Sequence, residues 1–320
     1  MTCEACSMKV GRAISWIAVF FCATPGPAFP APADMSSTSL HVVQSKETVT
    51  VSAGGRQVLE YRQVPSPFKP YASKLFSPAG VQILRDSPGD HKHHHALMFA
   101  LAADGVNFWE EAEGVGAENP RSLRLLECDV RSGMQHAGFT QGLEWVNRRE
   151  NRVILEEQRT IEVLDAADFK ATLLSWNSRL KPAADRDSVP LTGSHYFGLG
   201  MRFIESMDSG GRFFCADGLD GEVVRGSERL TATRWCAYEA PAGDQKVSVA
   251  VFDHPSNPRH PARMFTMTTP FAYLAATLNL WKEPLTLKRD APLELVYGVA
   301  VWDGTVDPAQ IEAVYWRWAR

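Results

Sequence analysis

Four of the chain's nine histidines fall within Asp90-His91-Lys92-His93-His94-His95. Imidazole binds metals, carries protons near neutral pH and donates hydrogen bonds from an apolar body. If this run is extended, its side chains alternate faces, which puts His91, His93 and His95 on one side and Lys92 and His94 on the other. Three imidazoles on one strand face are the start of a divalent-metal site that a carboxylate or further histidine would complete. Histidines in strands also brace loops, and Asp90 can simply orient His91.

A second knot, Phe252-Asp253-His254-Pro255-Ser256-Asn257-Pro258-Arg259-His260-Pro261, is of another kind. Its prolines fix backbone angles and remove donors, making a stiff loop that holds polar side chains in set directions. Arg259 is suited to gripping a carboxylate or a pair of hydroxyls. His195 follows Gly193-Ser194 at a strand start, Glu110 and Glu111 follow Trp109, and Arg234-Trp235 lies in a strand-like segment. Together these residues suggest a pocket for a hydroxylated ligand. His94, His195, His254, His260 and Glu110 are the candidates to exchange its protons, and Trp109, Arg234, Asn257 and Arg259 the candidates to bind it. The chain lacks a Gly-x-Ser-x-Gly elbow and a His-Glu-x-x-His helix, which argues against serine esterases and zincins.

Short strands punctuated by Gly, Pro and Asp must position these groups. Val49–Val51 and Val58–Tyr61 around Gly54-Gly55 predict a hairpin. Leu97–Leu101 continues the histidine run as a strand, and Asp104-Gly105 turns it into Val106–Trp109. Further strands are expected over Arg152–Leu164, Phe169–Asn177, Tyr196–Phe203, Val247–Phe252 and Leu293–Val301, with loops over Glu110–Pro120 and Lys181–Pro190. Only Gln310–Trp318, opened by Pro308-Ala309, favours a helix. This pattern predicts an all-β fold, a large antiparallel β-sandwich with few short helices, rather than a doubly wound sheet. There is no internal repeat, P-loop or GxGxxG.

The formal charge of −4 gives no case for nucleic acid or an anionic membrane as partner. Nine tryptophans and seven tyrosines could serve as stacking surfaces for sugar rings, although large aromatic residues more often form core. Lys9 and Arg12 precede the apolar run 13–23, and Ala31-Pro32-Ala33 resembles a cleavage site. Residues 1–33 therefore read as a signal peptide, 40–320 as a single β-sandwich domain, and the mature protein as periplasmic or secreted, with no integral membrane association. Cys3, Cys6 and Cys22 would leave with the leader. Of the remaining Cys128, Cys215 and Cys236, the last two are the simplest disulfide pair across neighbouring strands, with free buried cysteines as the equal alternative.

The blocks Phe68-Lys69-Pro70-Tyr71, Leu75–Gly80, Arg85-Asp86 with Asp90–His95, Val106–Trp109, Phe252–Pro261 and Leu295–Gly304 resemble the DUF6807 family over nearly the whole mature chain. That family often carries a methane-oxygenase label, but a membrane oxygenase needs a set of apolar spans that this chain lacks. The resemblance implies an exported β-supersandwich of the galactose-mutarotase-like type. Its ligand would lie on a concave sheet, where histidine and a carboxylate move protons on a sugar. The matching positions are His93, His94, His95, His195, His254, Arg259 and His260. The chain has Ala96 where relatives commonly have glycine. The expected function is acid/base chemistry on a carbohydrate or glycoside, as a hydrolase, lyase or epimerase, with a divalent metal ion as the one conceivable cofactor. The alternatives are a non-catalytic carbohydrate-binding module and a structural protein whose histidines brace loops.

Overall fold

The computed structural model describes residues 39–320 apart from Ser66, Glu113, Gly114 and Leu219; the expected signal peptide lies outside the described residues. Thr48–Ala53 and Arg56–Arg62 form the expected hairpin, joined by Gly54 and Gly55 at φ 55° and 77°. Two positive φ values in succession are what a right-twisted two-residue hairpin needs, and glycine accepts them without a Cβ clash. Repetition of such antiparallel pairs gives two large sheets and a small one of four strands.

The ten-stranded sheet runs, in spatial order, Leu40–Gln44, Thr48–Ala53, Arg56–Arg62, Tyr71–Leu75, Leu97–Ala100, Gly198–Arg202, Tyr273–Thr277, Arg263–Met267, Glu228–Ala232 and Glu222–Arg225. The eight-stranded sheet runs Arg212–Cys215, Trp235–Ala242, Gln245–Asp253, Leu293–Asp303, Ala171–Pro182, Arg152–Leu164, Met134–Asn147 and Gly116–Arg131. The two sheets share the main core. Phe99 of the first packs on Trp145 of the second, with ring centroids 6.0 Å apart.

Strand parity then buries the eight-stranded sheet on both faces. In Leu293–Asp303, Leu295, Tyr297, Val299 and Val301 enter the main core, while Ala300 and Trp302 join a second cluster with Ile311, Val314, Tyr315 and Trp318 of the helix Pro308–Trp318. Each of the large aliphatic side chains among these contributes roughly 1.5–3 kcal/mol when taken from water. Asp307 caps this helix, accepting from Ala309 N at 2.7 Å, while the Gln310 side chain accepts from Asp307 N at 3.1 Å. Gly298 leaves room beneath the helix; a Cβ there would stand 2.9 Å from Phe252 and 3.0 Å from Trp318.

Three sequence expectations need correction. Residues 91–95 are not an extended strand but a tight double turn, with His91 N bonding Pro88 O at 3.0 Å and His94 N bonding His91 O at 2.9 Å. The preceding Ser87-Pro88-Gly89-Asp90 is turn chemistry, and it outweighs the strand-like alternation. Of the expected loop at Glu110–Pro120, residues 116–120 open a sixteen-residue strand whose far end is largely exposed and polar, so composition disguised it. Of Lys181–Pro190, only 183–187 lie outside strands. Cys215 and Cys236 are register partners with sulfurs 2.7 Å apart, as neighbouring thiols. Among the described residues no helix is long and apolar enough to cross a membrane.

Inside the main core Arg159, fully buried, donates to Glu157 at 2.9 and 2.8 Å, to Glu118 at 2.8 Å, to Tyr61 OH at 3.2 Å and to Pro70 O at 3.1 Å. Glu157 also accepts from Trp145 and Ser178, whereas Glu118 Oε1 has no hydrogen-bond partner among the described residues. Burial pushes the Glu118 carboxyl up to about 7 against the pull of Arg159. A carboxyl raised in the folded state adds stability that is complete below its ordinary 4.5 and lost as pH rises through 7. Glu118→Gln should therefore raise the melting temperature more at about pH 8 than at about pH 5. Equal shifts in thermal denaturation at the two values would contradict a titrating Glu118.

Candidate functional site

Phe99, Leu199, Ala276 and Met264 are register neighbours across the ten-stranded sheet, and Phe99 faces the main core. Phe265 and Tyr273 have the opposite parity and stand on the sheet's other face. Against them lies a cavity of about 380 Å³, bordered by His91, His93, His94, Glu110, Tyr196, Arg225, Glu228 and Phe271 as well.

The histidine turn enters this cavity because its ends are pinned. Ser87 N bonds His94 O at 3.0 Å, and Ala96 leaves the turn at φ 45°. That left-handed conformation favours glycine over a residue with a Cβ. The rings of His91 and His94 stack at 4.7 Å, and His93 meets His94 edge-on at 4.6 Å. Phe271 touches both His91 and His94, and the Arg202 guanidinium lies 3.5 Å over its ring. Arg202 is tied to Asp208 at 3.3 Å and faces Asp90 at 3.8 Å; Asp90 in turn holds His91 Nδ1 at 3.0 Å.

His95 points elsewhere. Its Nδ1 bonds Asp86 at 2.8 Å, its Nε2 lies 2.9 Å from Glu111, and its ring stacks on Tyr71 at 4.3 Å. Tyr71 donates to Asp86 at 2.7 Å, and the buried Lys69 donates to Glu111 at 2.8 Å and to Trp109 O at 3.1 Å. Asn107 Oδ1 accepts from the amides of Trp109 and Glu110 at 2.8 and 3.1 Å, and the chain bends so that Glu110 reaches the cavity while Glu111 turns inward. The proposed metal face is thereby corrected. The ring nitrogens of His95 lie 2.8 and 2.9 Å from the carboxylates of Asp86 and Glu111, and among the described residues no group of three His, Cys, Asp or Glu side chains could hold an ion. These residues do not fit a metal centre.

One imidazole–carboxylate pair borders the cavity, and the carboxylate of a second borders it with its imidazole behind. His93 Nε2 is 3.5 Å from Glu110 Oε2, and His195 Nε2 is 3.1 Å from Glu228 Oε2. Glu228 also pairs with Arg225 at 2.6 Å. Burial lowers His93 below its ordinary 6.5, with Glu110 only partly offsetting it, and lowers His94 to about 2, so both are neutral at pH 7. His94 Nδ1 is buried without a hydrogen-bond partner among the described residues.

Of the sequence candidates, His91, His93, His94 and Glu110 converge here, and His195 joins them through Glu228. Trp109 is fully buried behind the cavity, stacked on Phe197 at 5.0 Å. The Pro-rich knot and Arg234 lie in other contacts. Asp253 accepts from Asn257 at 2.7 Å, from His260 at 2.6 Å and from Ala262 N at 2.8 Å, while His254 bonds Ser256 and packs on Trp318. Arg259 grips backbone carbonyls, and Arg234 pairs with Asp217 and Glu312. Sequence reasoning missed Arg225, Glu228, Tyr196, Phe265, Phe271 and Tyr273, which carry no local motif.

For His95, burial alone would lower the pKa, but the hydrogen bonds to Asp86 and Glu111 overcome it and raise the group above 6.5. Its stabilising contribution is complete below 6.5 and lost as pH rises through the higher folded value. His95→Gln should thus lower the melting temperature more at about pH 6 than at about pH 9. A loss independent of pH would mean that the ring acts by packing alone.

The DUF6807 model, described as a family of unknown function, matches residues 48–316. No curated protein matches the chain. Similar solved structures include a GH36 alpha-galactosidase from Geobacillus stearothermophilus in complex with raffinose, 9% identical with a TM-score of 0.47, the match covering 83% of this chain and 41% of that one. An alpha-galactosidase from Lactobacillus brevis is 7% identical with a TM-score of 0.44, over 83% and 40%. A galactose mutarotase-like protein from Clostridium acetobutylicum is 11% identical with a TM-score of 0.45, over 83% and 99%. The chain spans about two fifths of the length of the galactosidases it matches. At scores this low the likenesses bear on neither reaction nor ligand. The family match, by contrast, takes in every strand but the first and most of the helix: the chain belongs to DUF6807, a family of unknown function.

Proposed function

We propose that the cavity binds a sugar ring of a carbohydrate or glycoside and moves protons on it, in an exported protein. The supporting observation is that His93, Glu110 and Glu228 border one cavity walled by Tyr196, Phe265, Phe271 and Tyr273, with Glu110 paired to His93 and Glu228 backed by His195 from outside the lining. A cavity of about 380 Å³ suits a small ligand. Aromatic walls take the C–H faces of a pyranose, and a few convergent polar groups take its hydroxyls.

Neutral His93 is the base, and Glu110 orients it and stabilises the imidazolium that forms. In the other pair the proton shared between His195 Nε2 and Glu228 Oε2 is the one given to the ligand, which leaves a neutral imidazole and a Glu228 carboxylate held by Arg225. His94, kept neutral by burial, bonds a hydroxyl rather than transferring its proton, which changes the role expected for it. Hydrolysis, elimination and epimerisation all use such an opposed pair.

A binding role without chemistry is the second reading. It is favoured by the 3.5 Å His93–Glu110 separation, long for a hydrogen bond, and by the engagement of both Glu228 oxygens.

The two readings separate when a panel of reducing sugars and glycosides is followed by NMR for anomeric exchange, bond cleavage and line broadening. Under the catalytic reading His93→Gln lowers turnover by about a hundredfold or more while affinity changes only a few-fold. The wild-type rate also stays level as pH falls to the ordinary imidazole value of 6.5 and drops only below it, because His93 must be unprotonated. Saccharide binding with no turnover would leave the binding module, and no saccharide bound at all would sink both.

A further inference from the structure

Trp281 is 39% exposed beside the site, although an indole is normally drawn into the core. Its ring centroid lies 5.7 Å from that of His195, at 65° between planes, and His195 bonds the cavity-lining Glu228. Trp281 itself is not among the residues bordering the cavity; it stands one ring beyond it.

The segment carrying this ring is unusually constrained. Asn279, at φ 57°, accepts at its carbonyl from Lys282 N at 3.2 Å and Glu283 N at 3.0 Å, and its side chain donates to Glu283 at 3.0 Å. Lys282 Nζ sits 4.8 Å over the indole and pairs with Glu222 at 3.2 Å. Arg259 closes the segment from behind, donating to Leu278 O at 2.8 Å, Glu283 O at 2.6 Å and Pro284 O at 3.4 Å. The Pro-rich knot braced on Asp253 thus ends in a guanidinium that fixes the Trp281 loop. A ring held in this way loses little freedom when a ligand lies on it, and the part of its surface that Lys282 and His195 leave in water is there to be covered.

We infer that the ligand is a glycoside of at least two rings, one in the cavity and the next against Trp281, with the linkage beside His195 and Glu228. Arg259 is a positioning residue for this second subsite. The inference rests on the carbohydrate reading above and narrows it from free monosaccharides to linked sugars.

Isothermal titration calorimetry tests it. Wild type, Trp281→Ala, Trp281→Phe and Arg259→Gly are titrated with glucose, galactose and mannose and with maltose, cellobiose, lactose and mannobiose. Glycine accepts the φ of 64° at position 259, so Arg259→Gly removes the guanidinium without backbone strain. For at least one sugar the wild type should bind the disaccharide about tenfold tighter than its monosaccharide, and Trp281→Ala and Arg259→Gly should narrow that ratio to about twofold or less. Trp281→Phe should keep part of the preference. Equal binding of both lengths by the wild type, or a ratio untouched in Trp281→Ala, would overturn the second subsite and leave the carbohydrate reading standing. Failure of the wild type to bind any of these sugars would overturn both.

Discussion

The site hangs on one buried cation. Lys69 has a side chain only 1% exposed, and an ammonium so enclosed is tolerable only when paired and hydrogen-bonded. Its partners, Glu111 and the carbonyl of Trp109, turn the Trp109-Glu110-Glu111 bend inward on one side, which leaves Glu110 to face the cavity. Glu111 then meets His95, His95 meets Asp86, and Asp86 meets Tyr71. This ladder anchors the last histidine of the run in the protein interior. With that end fixed, the preceding turn can project His91, His93 and His94 only toward the open face of the sheet. Charge pairing in the interior thereby sets the geometry of the groups that meet the ligand.

The sheet architecture leaves that face open for a simple reason. The eight-stranded sheet is covered on one side by its partner and on the other by the helix Pro308–Trp318. The single α-helix of the described residues packs on the other sheet, and Phe265, Phe271 and Tyr273 gather on the second face of the ten-stranded sheet beside the histidine turn. Gly200 lets this wall form. A Cβ at that position would stand 2.2 Å from the Tyr273 hydroxyl and 2.8 Å from Trp109. Arg202 adds a charge behind Phe271 whose burial is offset by Asp208 and by the ring itself.

The two sequence clusters thus divide their labour. The histidine run supplies groups that face the cavity, while the Pro-rich knot spends Asp253, Asn257 and His260 on its own hydrogen bonds and sends Arg259 to hold a distant loop. Both clusters read alike as strings of polar residues. Whether a polar side chain meets a ligand or a neighbouring carbonyl depends on what lies opposite it, and local spacing carries no record of that.

Hairpins, strand alternation and the capped C-terminal helix were legible in the chain because they depend on neighbours a few residues apart: Gly54-Gly55 for the first turn, Asp307 and Pro308 for the helix. The clustering of His91, His93 and His94 with Glu110 was legible in part, since all lie within twenty residues. The metal face was misread because Ser87-Pro88-Gly89-Asp90 curls the run and Lys69 draws His95 inward through Glu111. Glu228, Arg225, Phe265 and Tyr273 come from strands more than a hundred residues away, paired only by the crossover order of the ten-stranded sheet. The all-β class, the turns and the imidazole-rich segment can be read from the chain alone. Which imidazoles face a carboxylate beside a cavity and which are spent in the interior is settled on folding, because long-range strand pairing and the pairing of buried charges are properties of the assembled sheets.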